Sequence, residues 1–163
     1  MSKGLLILLG VILAIGGLTC AQKEEAPRET VVAVSAADLW KIIGQDKPYT
    51  EYGFWPGLEG IIPGKSPHGA LVRTFVNTHA LNPGPDVYPY GSIIVKENFM
   101  ADTTLAKLTV MYKVKGYNPG DGDWFWAVYT PEGTAEMEGK IESCISCHGM
   151  REKDDFVLLR SLK

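Results

Sequence analysis

The chain has 163 residues, with 16 Lys plus Arg against 19 Asp plus Glu and a formal net charge of −3. That length supports one domain with a real core and not two substantial ones. The mildly acidic balance and the lack of any basic stripe exclude a nucleic-acid binder.

The amino terminus reads as an export signal. Lys3 makes a short positive start, and residues 4–19, GLLILLGVILAIGGLT, are apolar or small up to Cys20. A run this short, followed by the polar AQKEEAPRET, is a secretory leader rather than a spanning helix. Cys20 stands where a bacterial lipoprotein carries its acylated cysteine, so residues 1–20 are expected to be a lipoprotein signal and Cys20 the point of lipidation. The stretch before it lacks the usual Leu three residues back and the small Gly or Ala directly before, and ordinary cleavage after Ala21 is the competing reading. Loss of Lys3 with the leader takes the net charge from −3 to −4. Either route places the protein outside the cytoplasm, in the periplasm or anchored to a bacterial membrane. Residues 21–31, polar and containing Pro27, form a flexible tether, and the folded domain spans 32–163.

Ser35 is placed to N-cap a helix in which Leu39, Ile42 and Ile43 share one face and Gly44 is the stop. Residues 47–66 are rich in Pro, Gly and aromatics, which favours an ordered loop. The hydrophobic period then becomes two. Residues 70–78, 92–99, 105–114 and 123–130 are rich in β-branched and aromatic side chains between Gly, Pro, Asn or Asp, and predict four strands. In the third, Leu108, Val110, Tyr112 and Val114 fall on one face and Lys107, Thr109, Met111 and Lys113 on the other. No connection is long enough for a helical crossover, so the expected fold is mainly β (α+β): an antiparallel sheet with a few short helices.

Cys144, Cys147 and His148 form a Cys-x-x-Cys-His motif, the attachment signature of haem c. On a helical turn, two thiols so spaced can add to the two vinyl groups of one porphyrin, and the adjacent His reaches the iron from the same side. A closed zinc site would need a second ligand pair, and His68 and His79 lie far upstream with no ligand-like spacing. A thioredoxin-type dithiol would need a βαβ setting that the pattern lacks. The cofactor expected is therefore one covalent haem c, with His148 as proximal iron ligand. Only residues 149–163 follow His148, and Met150 is too near it to reach the opposite face of the ring. A distal ligand would have to come from Met100, Met111, Met137, His68, His79 or Lys96. Each has a bland reading as a core or surface residue, so an open or weakly filled distal position is expected, which favours chemistry or gas binding over simple electron carriage.

Four segments in order, SPHGALVRTFVN (66–77), YPYGSIIVKENF (88–99), LTVMYKVKGYNPGDGDWFWAVY (108–129) and GKIESCISCHG (139–149), resemble the cytochrome P-460 family, which includes the cytochromes c′-beta. The resemblance runs from about Leu39 onward. It implies a mainly antiparallel β fold, a homodimer, a haem near the carboxyl terminus held by its motif His, and residues 154–161 as a last strand or closing segment. In hydroxylamine-oxidising members a Lys in a VKE strand is bonded to the porphyrin edge, and Lys96 occupies that place. A primary amine can react so only when held against the ring and partly deprotonated, which burial favours. The competing reading is a Lys pointing to water, as strand lysines usually do.

Other candidates are less specific. In DWFWAVY, Trp124 and Trp126 share one face and Phe125 and Tyr129 the other, and either set could cap the iron or be plain core. Hydroxylamine oxidation needs a proton acceptor, for which Glu136 and Glu138 are candidates against a bland reading as exposed loop residues. His68, in a Pro-rich loop and followed by Gly, is a ligand, a proton relay or a turn residue. The resemblance thus implies an exported mono-haem cytochrome acting on hydroxylamine or nitric oxide, with a redox partner protein. The alternatives are a non-catalytic nitric oxide binder and a six-coordinate electron-transfer cytochrome.

Overall fold

A computed structural model describes residues 34–46 and 48–162. The leader, Cys20 and the tether lie outside the described residues. The chain forms a six-stranded antiparallel meander in sequential order: β1 (Ile62–Pro63), β2 (Leu71–Val76), β3 (Ile93–Phe99), β4 (Leu105–Lys113), β5 (Trp124–Tyr129) and β6 (Ala135–Gly139). The four expected strands are the inner ones, β2 to β5. The two additions are edges: β1 is a two-residue pairing inside the expected loop, and β6 is the polar run AEMEG. An edge of that composition has no apolar period to read, and its charges discourage pairing with another chain.

Both faces of the sheet are covered, so β3 and β5 are almost continuously buried. The first face carries Phe75, Val95, Leu108, Val110, Phe125, Ala127 and Tyr129, packed against Ala36, Leu39 and Ile43. These last three come from α1 (Ala36–Trp40) and the π-helical turn Lys41–Asp46 that continues it. Ser35 caps α1 by accepting the Asp38 amide at 3.1 Å, as expected. Gly44 does not stop the helix. It lies beneath the Trp40 indole, 2.7 Å from where a Cβ would sit, so its role is close packing.

The second face carries Val76, Ile94, Met111, Trp124, Trp126 and Val128, joined by Trp55, Tyr88, Ile141, Phe156 and Val157. A short α2 (Thr78–Leu81) follows β2, capped by Asn77. After β6 the chain crosses this second face as α3 (Glu142–His148), a 3₁₀ turn over Gly149–Asp154, and an irregular tail. The tail closes the face without adding a strand. No helix among the described residues is long and apolar enough to cross a membrane.

Candidate haem site

The second face does not close completely. Between β3 to β6 and α3 lies a cavity of about 230 Å³, lined by Trp126, Met111 and Ile94 from the sheet and by Cys144, Cys147 and His148 from α3. Residues three and four apart share a helix face, so α3 presents both thiols and the imidazole to the cavity together. Both cysteines are free and half-buried. Burial pushes the Cys144 thiol up.

His148 is oriented by the tail. Its Nδ1–H donates to the Phe156 carbonyl at 2.7 Å, and its ring lies 4.7 Å from that of Trp126. A carbonyl oxygen only accepts, so the proton sits on Nδ1 and the Nε2 lone pair is left free. Burial holds the imidazole neutral, its pKa pushed down to about 4. A ring held at one nitrogen by a backbone carbonyl and free at the other is the arrangement of a metal-ligating histidine.

Lys96 is the only residue of β3 not fully buried, and it points into the cavity. Burial lowers its amine to about 8, with the nearby Cys147 partly offsetting this. His68 also lines the cavity, with its Nδ1 2.8 Å from the Asn98 side-chain oxygen. Glu136 and Met137 stand on the exposed strand β6 at the cavity rim.

Other sequence candidates lie elsewhere. Glu138 faces the opposite side of the sheet and accepts the Ala36 amide at 2.6 Å. Phe125 and Tyr129 are core on that same face, as the strand alternation predicted. Trp124 is buried with Nε1 donating to the Asp155 carbonyl, so it supports the tail. His79 is exposed on α2, near Gly91 and away from the cavity. Met100 is exposed in the β3–β4 turn, and Met150 is exposed beyond the motif. Asn98, Thr109 and the Phe156 carbonyl were not singled out in the sequence. Only the alternation of β3 and β4 could have placed the first two on this face.

The family model for cytochrome P460 matches residues 64–159, a span that contains the cavity-lining strands, α3 and the closing tail. The chain belongs to the cytochrome P460 family. No curated protein matches it. As a cytochrome P460 the protein is a haem cytochrome, and the cavity fits that group. Its wall is mostly apolar, its one oriented lone pair on α3 lies beside two free thiols, and the buried Trp126 Nε1 on its lining has no hydrogen-bond partner within the protein. Zinc is a poorer fit: among the described residues no three His, Cys, Asp or Glu side chains gather as a metal-ion site would require.

Proposed function

We propose that this cytochrome P460 carries one haem c, attached through Cys144 and Cys147 and ligated by His148, and performs redox chemistry on small nitrogen species, oxidising hydroxylamine or binding nitric oxide. The observation that carries the reading is the His148 Nε2 lone pair, freed by the Phe156 bond and aimed from the same helix face as both thiols. The haem would supply the one-electron redox centre. The chain's own residues do the rest. Met111, Ile94 and Trp126 keep bulk water from the site, and Lys96 sets an amine with a lowered pKa against the space the ring edge would fill. Glu136 at the rim is the carboxylate placed to take protons from a nitrogen substrate.

Under this reading the protein is exported, lipid-anchored at Cys20 and homodimeric, and passes its electrons to a separate redox partner. Labelling with radioactive palmitate, lost in Cys20→Ala, tests the anchor, and light scattering of the purified domain tests the dimer. The central test is a spectral titration of purified holoprotein with hydroxylamine and with nitric oxide, followed by steady-state assay with hydroxylamine and an electron acceptor. A response to either ligand supports the reading. A haem spectrum unmoved by both overturns it.

A further inference from the structure

Two imidazoles face one cavity. The rings of His68 and His148 have centres 6.4 Å apart and planes at 83°. Metal–imidazole bonds are about 2 Å and the nitrogen lies about 1 Å from its ring centre, so two imidazoles on opposite sides of one metal have centres about 6 Å apart. Both planes contain the bond axis in such a pair, so any angle between them is compatible.

The tautomer of His68 is fixed as firmly as that of His148. Asn98 is wholly buried, and its Nδ2 donates to the carbonyls of Lys96 at 3.0 Å and Lys107 at 3.2 Å and to Thr109 Oγ1 at 3.2 Å. Two carbonyl oxygens can only accept, so that end of the amide is the NH₂ and Oδ1 is left facing His68. Oδ1 also only accepts, so His68 Nδ1 carries the proton and its Nε2 lone pair is free. Burial, followed by the charge of Lys96, keeps the ring neutral, its pKa pushed down to about 4. Each imidazole is thus held at Nδ1 by a rigid acceptor and free at Nε2.

The backbone that carries His68 is equally constrained. Its amide donates to the Lys65 carbonyl at 2.9 Å, and a Cβ on Gly69 would overlap the backbone of Phe99. Glycine after His68 therefore lets the loop press onto the end of β3, which sets the ring over Asn98. Lys96 and Lys107 also bring amines to the lining, but a protonated amine has no lone pair to give.

We propose that His68 is the second axial ligand of the haem iron, so that the resting site is closed by two imidazoles and admits a small ligand only when His68 leaves. This rests on the haem placement proposed above and adds a gate to it. The test uses purified holoprotein, wild type and His68→Ala, with electron paramagnetic resonance and visible spectra of the ferric state and stopped-flow mixing of the ferrous state with nitric oxide. Wild type is expected to be low-spin and His68→Ala high-spin, with added imidazole restoring the low-spin signal. Nitric oxide binding should reach a plateau rate with concentration in wild type and rise linearly in His68→Ala, at least tenfold faster at the highest concentration. A high-spin wild type, or a low-spin spectrum unchanged in His68→Ala, overturns the ligation, and a linear wild-type rate overturns the gate. If His68→Ala becomes high-spin yet binds neither nitric oxide nor hydroxylamine, the ligation stands and the nitrogen-species reading falls.

Discussion

The carbonyl that orients His148 is itself held by a buried ion pair, and breaking that pair gives the sharpest test of how the site is built. Lys113 Nζ lies 2.6 Å from both carboxylate oxygens of Asp155 and donates to the Gly122 carbonyl at 2.7 Å. Both side chains are at most 5% exposed. Asp155 also accepts the Tyr88 amide at 2.7 Å, while its carbonyl takes the Trp124 indole N–H at 2.9 Å. These four contacts fix a turn in which Asp155 and Phe156 both have positive φ, 52° and 67°. Such non-glycine conformations cost roughly 1–3 kcal/mol each and persist only where the surroundings enforce them. Asp155→Asn keeps the shape and tolerates positive φ but leaves Lys113 buried without its counter-charge, an expected loss of about 3–5 kcal/mol. That is a large share of the 5–15 kcal/mol typical of a domain. Urea unfolding of wild type, Asp155→Asn, Lys113→Met and the double variant measures it. The double variant should lose less than the sum of the singles, because it removes the stranded charge. Reduction potentials of the holoproteins provide a second readout. With His148 on the iron as proposed, a slack Phe156 carbonyl would make it a weaker donor to the ferric state, so Asp155→Asn should raise the potential. A loss under about 1 kcal/mol together with an unmoved potential would refute the reasoning.

Glu138→Ala removes the acceptor for the Ala36 amide at the start of α1, and should cost no more than about 1 kcal/mol in urea unfolding while leaving hydroxylamine affinity as in wild type. Glu97 is buried on the same face, bound by Arg73 at 2.6 Å and the Tyr49 hydroxyl at 2.9 Å. Glu97→Ala should therefore lose about 1–3 kcal/mol with an unchanged haem spectrum. Cys144→Ala with Cys147→Ala should abolish haem that survives denaturing electrophoresis. In chain expressed without haem maturation, the folded Lys96 binds fewer protons than the unfolded one between about pH 8 and the ordinary lysine range. Stability should therefore rise with pH there, by at most about 1.4 kcal/mol per pH unit, and Lys96→Met should flatten the slope in pH-dependent melts.

The motif and the inner sheet were legible because each has a local signature. Cys-x-x-Cys-His is contiguous, and the alternation in 105–114 assigns Thr109 and Met111 to one face before any fold is known. The same alternation failed for β6, where AEMEG has no apolar period, and so it could not separate Glu136 from Glu138. Their opposite fates follow from register: Glu138 pairs with Ala127, a first-face residue, while Glu136 falls in the irregular step between Val128 and Tyr129. The contacts that matter most to the site join residues far apart in the chain. Asn98 to His68 spans 30 residues and Lys113 to Asp155 spans 42, and no local pattern encodes either.

The segment after α3 connects those distant pairs to the site. With Cys144, Cys147 and His148 on α3, the segment that follows locks the His148 imidazole. Phe156 supplies the carbonyl, Val157 joins the second-face core, and Asp155 ties the turn to β4 and β5 through Lys113 and Trp124. Across the cavity, the loop before β2 brings the His68 imidazole to the lining. The two imidazoles are anchored independently, one by a backbone carbonyl of the tail and one by a buried side-chain amide of the sheet. Substitutions at Asp155 should therefore change the proposed His148–iron bond without changing the tautomer of His68, and substitutions at Asn98 should do the reverse. Asp155→Asn and Asn98→Leu should accordingly shift the potential additively, and a double variant departing from additivity would show that the two anchors share a strained element.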